Sequence, residues 1–262
     1  MNNVLTAEQK ILISTMYDAE LDVMVDTIIN QFNFPNIYEV MSFEDRMQEI
    51  IGQYKSHIEN KRYKSMIRNS KISRVFYLNQ ICPDSSRGLS KAMYDTLLSM
   101  TWLKEGKSCL LSGPTGSGKS TLATALAVEA MKMGYPALFI KANELEALLN
   151  IKQNVELINY VKRLKRFKVL VIDDFGIQVM KNGIANKFLE IIDARYGIGS
   201  TIITTQVKAD SIALSIEKGA ARDAIVDRLF REGKDLKIEL KGDSFRQSDK
   251  ELKGESTDSV KL

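Results

Sequence analysis

Three clusters of residues in this chain have types and spacings suited to chemistry on a phosphate. The first is Gly113-Pro114-Thr115-Gly116-Ser117-Gly118-Lys119-Ser120, which fits G-x-x-x-x-G-K-[ST] at every fixed position. Glycines there let the backbone wrap a polyphosphate, with N–H groups pointing inward at a helix N-terminus. Lys119 supplies a point charge to the β- and γ-phosphates, and the Ser120 hydroxyl is placed to ligate magnesium. With Thr121 one position on, Gly113 to Thr121 are the nucleotide-contacting candidates. The second cluster is the acidic pair closing "KVLVIDDFG". Asp173 is expected to hold the magnesium through water, and Asp174 to polarise the attacking water. The third is the polar end of "STIITTQ", where Thr204, Thr205 and Gln206 are within reach of a γ-phosphate or that water. A nucleoside triphosphate with Mg2+ is the expected cofactor.

Two further groups each leave two readings open. Arg228, in "DAIVDRLFR", is either a functional cation or half of a surface salt bridge with Asp227 or another neighbour. From Lys55 to Arg74 stand seven basic residues against one acidic, a local charge of +6 in a chain whose net charge is +4. Lys61, Arg62, Lys64 and Arg68 are the candidate DNA contacts in this window, the other reading being a solvated basic face.

These groups need a scaffold. "SCLLS", "ALFI" (137–140), "VLVID" (169–173), "STIITT" (200–205) and "LKIEL" (236–240) read as strands. Helices are expected between them at 118–133, over "NELEALLN", up to about Arg166, and at 184–195. Alternation of this kind implies an α/β fold with a doubly wound, mainly parallel sheet. The first 80 residues read as helical. "TAEQ" is a capping box opening a helix whose apolar face is Leu12, Met16, Ala19 and Val23, ended by "NFPN". Ser42 caps a second helix, with Phe43, Met47, Ile50, Tyr54 and Ile58 on its apolar side, running to about 69. "KAMYDTLLSMTWLKEG" reads as one helix. The domains expected are thus 1–80 helical, for DNA or partner contact, 81–90 linker, 91–246 nucleotide-binding, and 247–262 a disordered polar tail. No apolar run approaches the roughly 18 residues of a membrane helix, and no signal peptide opens the chain. A cytoplasmic protein with no membrane partner is expected. Cys82 and Cys109 read as buried small hydrophobes, and with His57 the sole histidine no zinc site is expected.

Taken in order, "RGLSKAMYDTLLSMTWLKEGKSCLLSGPTGSGKSTLATALAVEA", "VLVIDDFG", "ARYGIGSTIITTQ", "DAIVDRLF" and "IELKGDSFR" resemble the IstB/DnaC-type branch of the AAA+ ATPases, over about residues 40–246. The endings "TIITTQ", "DDFG" and "GDSFR" look more like the transposition helper of insertion sequences than the replicative helicase loader. The resemblance implies an ATPase using ATP and Mg2+ that forms a homo-oligomer on duplex DNA and recruits or stimulates a transposase encoded beside it. The alternative is a DnaC-type loader whose partner is a replicative helicase. It further implies that Thr205 and Gln206 match a polar sensor and that Arg228 reaches a neighbouring subunit's nucleotide. The chain departs from the pattern in four ways. Asp174 stands where most AAA+ proteins have glutamate, Thr121 and Arg231 replace frequent histidines, and the usual helical lid after Arg228 is missing, which leaves Arg246 without a clear sensor role.

Two other classes fit less well. A P-loop GTPase needs an Asn/Thr-Lys-x-Asp clamp, and "NKFL" lacks the aspartate. A small-molecule kinase has no use for a basic helical N-terminal region. An ATP-gated DNA-binding module that barely hydrolyses is separated from a working ATPase by turnover measured with and without DNA.

Overall fold

The structure is a computed structural model, and it describes residues 5–230 and 235–242. The expected polar tail from 247, Arg246 and Arg231 lie outside the described residues. The chain forms two compact units, Met1–Ser65 and Met66–Leu262.

The first unit is helical. α1 (Ala7–Asp18) opens with the expected capping box, in which Thr6 and Gln9 exchange side-chain and backbone bonds. It does not run on to Asn33. The chain turns at Glu20, whose φ is 58°, and α2 (Asp22–Asn33) follows. The turn gives each helix an apolar partner: Ile13 and Met16 of α1 pack with Val25 of α2, with Leu21, Met24, Ile28 and Phe32 around them. The buried face of α1 is therefore Ile13 and Met16, and Leu12 points to solvent. A short α3 (Pro35–Tyr38) starts on its proline, which has no N–H to satisfy in a first turn. α4 (Phe43–Asn69) is capped by the Ser42 hydroxyl, which accepts from the Asp45 N–H at 3.1 Å. Of its expected apolar face, Ile50 is buried while Phe43 and Ile58 are exposed. A polar contact fixes α4 to its neighbours instead: Glu49 accepts from Gln31 Nε2 (3.2 Å) and from the Tyr38 hydroxyl (3.1 Å).

The second unit is built on five parallel strands: β1 (Cys109–Ser112), β2 (Ala137–Lys141), β3 (Val169–Phe175), β4 (Ser200–Thr205) and β5 (Leu236–Glu239). Their order is β2-β3-β4-β1-β5. Near-continuous apolar strands are buried on both faces, as a parallel sheet requires. One face meets α7 (Lys119–Lys132). On the other, Leu110, Leu138, Ile140, Leu170, Ile172 and Ile203 pack with four helices, α8 (Ala142–Ile151), α9 (Asn154–Lys165), α10 (Asn182–Arg195) and α11 (Ala220–Leu229).

The segment expected to be the end of the helical region and a linker belongs to this second unit and shields both sheet edges. Beside β2, the Ser70 carbonyl accepts the Phe139 N–H at 2.8 Å; beyond β5, the Arg87 carbonyl accepts the Lys241 N–H at 2.8 Å. Covering edge strands in this way removes sites for unwanted pairing. Leu78 and Leu89 are buried along the way, but Cys82 is exposed, contrary to expectation, because it lies on the irregular segment between two short 3-10 helices, Leu78–Gln80 and Ser85–Arg87. Cys109 is buried in β1, and burial pushes its thiol pKa up to about 12. The stretch expected as one helix is two, α5 (Lys91–Leu98) and α6 (Thr101–Lys104), broken at Met100 with φ 54°. The break buries Met100, Trp102 and Leu103 together, and the indole N–H donates to the Leu97 carbonyl at 3.2 Å.

Candidate nucleotide and metal site

β3, β4 and β1 are neighbours in the sheet, so the segments leaving their carboxyl ends meet at one edge. In open α/β sheets the crevice beyond the carboxyl ends of the strands is where ligands bind. The phosphate-loop residues lie between the end of β1 and the start of α7. Gly113, Gly116 and Gly118 have φ of 144°, 83° and 95°, a region that side chains rarely tolerate. A Cβ on Gly113 would also strike the Leu240 carbonyl beyond β5.

Two side chains bear on how this loop would meet a polyphosphate, Lys119 and Ser117. Lys119 is buried among its own loop, where its Nζ donates to the carbonyls of Gly113 (2.9 Å) and Pro114 (2.7 Å). Burial holds its pKa below the ordinary lysine value, and the charges of Asp174 and Asp173 pull the other way. The Ser117 hydroxyl is buried without a partner of its own. Pro114 and Thr115 form the exposed crown, and Thr121 is half-buried in the first turn of α7.

The acidic pair is held tightly. Asp173, buried near the end of β3, accepts through Oδ1 from the Ser120 hydroxyl at 2.7 Å and from the Thr204 hydroxyl at 2.6 Å. Asp174 is half-buried, has φ 57°, and donates its N–H to Thr204 Oγ1 at 2.9 Å. Ser120 Oγ and the Asp173 carboxylate offer hard oxygens of the kind Mg2+ takes. Mg2+ at phosphate sites uses one or two protein groups and leaves the rest of its shell to phosphates and water.

The two residues matched to the sensor are treated differently by the fold. Thr205 is fully buried; its hydroxyl donates to the Phe175 carbonyl (2.7 Å) and accepts the Val207 N–H (3.0 Å), so it is engaged by main chain and does not reach the crevice. Gln206 is exposed just past β4, at the same edge as the loop. The residue that does bind the acidic pair is Thr204.

Arg228 stands apart from these. It lies on α11, forms an ion pair with Asp193 of α10, and donates to the Ala224 carbonyl at 3.2 Å. The salt-bridge partner is thus Asp193 rather than Asp227. Arg228 lines a cavity of about 340 Å³ with Glu105, Lys107, Arg195, Asp227 and Asp235. Ser108, Thr201 and Asp235 place this cavity where β1, β4 and β5 begin, the opposite edge from the phosphate loop. Arg195 belongs to no motif in the sequence. Its guanidinium is buried and donates to the carbonyls of Leu164 (2.8 Å), Phe167 (2.7 Å) and Ser200 (2.7 Å), tying the end of α9 to the start of β4. Burial pushes its pKa down to about 10, which leaves it charged at neutral pH. An arginine closing the apolar run "FLEIIDAR" was the available signal. Lys61, Arg62, Lys64 and Arg68 are exposed on α4. Lys61, Lys64 and Arg68 recur at i, i+3 and i+7, which is one stripe of a helix.

A phosphate loop after β1 and an acidic pair near the end of β3, on a parallel sheet ordered 2-3-4-1-5, define an ATP-binding P-loop ATPase of the AAA+ class. The chain belongs to the family described as IstB-like ATP binding protein, whose model matches residues 15–253. It is similar to an insertion sequence ATP-binding protein, y4uH, of Sinorhizobium fredii, with 29% identity over 76% of this chain and 79% of the relative. It is also similar to the IS21 insertion sequence ATP-binding protein of Pseudomonas aeruginosa, with 26% identity over 94% of this chain and 91% of the relative. Among solved structures, the fold is shared with AMPPCP-bound DnaA from Aquifex aeolicus (TM-score 0.52, 18% identity, 71% of this chain and 57% of that one). DnaI shares it too, with a TM-score of 0.51 and 20% identity over 63% of this chain and 90% of that one. No helix among the described residues is long and apolar enough to cross a membrane.

Proposed function

We propose that this ATPase serves DNA transposition: with ATP and Mg2+ it assembles on duplex DNA and recruits or stimulates the transposase encoded beside it. The observation that carries the chemical part is the convergence of Lys119, Ser120, Asp173 and Asp174 at one sheet edge, where Ser120 and Asp173 are bonded at 2.7 Å. The transposition part is supported by the relatives, which are named for insertion sequences.

In this reading the loop N–H groups from Gly113 to Thr121 and the Lys119 ammonium bind the β- and γ-phosphates. Ser120 and Asp173 hold Mg2+, which when bound draws charge off the phosphates. Asp174 accepts hydrogen bonds from the attacking water and orients it. Gln206 borders the γ-phosphate position. Arg228, on the far edge, completes the site of the next copy, where a guanidinium stabilises charge developing on the γ-phosphate. The α4 stripe binds the DNA backbone.

The test is reconstitution. The protein, ATP, Mg2+ and duplex target are combined with the transposase from the adjacent reading frame, and strand joining is measured. Joining that rises with ATP supports the proposal. Joining indifferent to the protein, together with loading of a replicative helicase onto single strands, moves the function to the loader class.

A further inference from the structure

Thr204 joins the two aspartates of the site through a single hydroxyl. Strands β3 and β4 pair in step as far as Ile172 with Ile203, and then the register shifts so that Phe175 faces Thr205. Two residues, Asp173 and Asp174, therefore lie opposite one, Thr204. This is a β-bulge, and a bulge leaves its extra residue without a ladder partner. Here the orphan is the Asp174 N–H, and the Thr204 side chain takes it at 2.9 Å. Having accepted that bond, the same hydroxyl gives its proton to Asp173 Oδ1 at 2.6 Å, on the oxygen that also receives Ser120. The chain of bonds runs Asp174 N–H to Thr204 Oγ1–H to Asp173 Oδ1, and Thr204 is fully buried.

Two groups of the site are bonded through it. Asp173 is turned toward Ser120, and Asp174 is kept at φ 57°, a left-handed conformation that aspartate visits more readily than most L-residues. Neighbouring Thr205 is equally buried but bonds only to main chain, so burial of a threonine in β4 does not by itself call for a carboxylate partner. We infer that Thr204 is a positioning residue for ATP turnover: it sets the metal-facing carboxylate and, through the bulge, aims Asp174 at the crevice. The inference rests on the assignment of Asp173 and Asp174 to metal and water given above.

The experiment compares Thr204→Val, which keeps the shape and loses the hydroxyl, with Thr204→Ser, which keeps the hydroxyl. In the full chain, kcat, KM for ATP and the Mg2+ concentration giving half-maximal turnover are measured, with binding of a fluorescent ATP analogue in EDTA as a check on the loop. Removing a group that orients a metal ligand typically costs about 10–100-fold in activity or metal affinity. Thr204→Val is expected to lose kcat on that scale and to need more Mg2+, with metal-free nucleotide affinity preserved; Thr204→Ser recovers most of both. Should the valine variant lack a cooperative melt, Thr204→Ala, smaller and without clash, carries the same expectations. Wild-type kcat and Mg2+ dependence in the valine or alanine variant, or a serine variant as impaired as they are, overturns the inference. Asp173→Asn and Asp174→Asn are run alongside. If they turn over normally the site assignment itself fails; if they are dead while Thr204→Val is normal, only the role of Thr204 fails.

Discussion

The left-handed backbone at Asp174 decides which substitution there is informative. Asparagine, like aspartate, tolerates this conformation, whereas alanine would add backbone strain to the chemical change. Asp174→Asn keeps the size of the side chain and the N–H to Thr204 Oγ1 while removing the carboxylate. We expect it to bind ATP as the wild type does and to lose turnover by about 10²-fold or more, the usual worth of a positioned general base. Single-turnover hydrolysis at wild-type rate would move the catalytic role elsewhere. At Arg195 the expected loss is of stability. Replacing this buried guanidinium with methionine preserves most of the volume but removes its bonds to the Phe167 and Ser200 carbonyls, while the Leu164 carbonyl keeps the Phe167 N–H at 3.2 Å. An unsatisfied buried acceptor costs about 1–3 kcal/mol, so Arg195→Met should lower stability by about that amount. The urea midpoint reads this directly, and an unchanged midpoint would mean that water replaces the guanidinium.

The elements of the site were largely legible because each has a residue-type signal. G-x-x-x-x-G-K-[ST] demands a strand before it and a helix after it, and β1 and α7 are there; the apolar run before Asp173 demands a buried strand, and β3 is there. What stayed hidden shares one cause. The break between α1 and α2 at Glu20, the break between α5 and α6 at Met100, and the turn of Asp174 all use left-handed conformations at residues other than glycine. Glu20 and Met100 carry no turn signature of their own, and the aspartate at 174, a type that does visit this conformation, sits inside an apolar strand run that masks it; tertiary packing imposes all three: the helical hairpin around Ile13 and Val25, the burial of Trp102, the bulge against Thr204. Arg195 and the Thr205 main-chain bonds were hidden for a related reason, since their partners are carbonyls and N–H groups, which every sequence has. The α4 stripe is the element whose role is open to the simplest measurement. Neutralising Lys61, Arg62, Lys64 and Arg68 together should lower the slope of log affinity for duplex DNA against log salt, because each phosphate contact contributes about 0.9 to that slope. A slope equal to wild type would mean that the stripe is merely solvated.

At the scale of the whole molecule, the decisive relation is between opposite edges of one sheet. Arg228→Ala should bind ATP nearly normally and hydrolyse it poorly, since an arginine supplied in trans is worth about 10³-fold or more in rate, well beyond an exposed ion pair such as that with Asp193. Mixing Arg228→Ala with Asp174→Asn, each inactive alone, pairs an intact acidic site with an intact arginine at hybrid junctions, so part of the activity should return. A mixture that co-assembles yet stays inactive would leave Arg228 with its intramolecular partner Asp193 and no more. The same placement of loop and arginine has a consequence for polarity. In the assembly proposed above, two unlike patches on one body would join copies head to tail, and a contact of that type repeats indefinitely unless its rotation closes a ring. In an open stack the two ends are chemically different. One copy shows a bare arginine, and the other holds a nucleotide that nothing has come to finish. Hydrolysis would spare that last copy, so the stack would carry its own arrow, a fixed end and an expendable one, along whatever it is built upon.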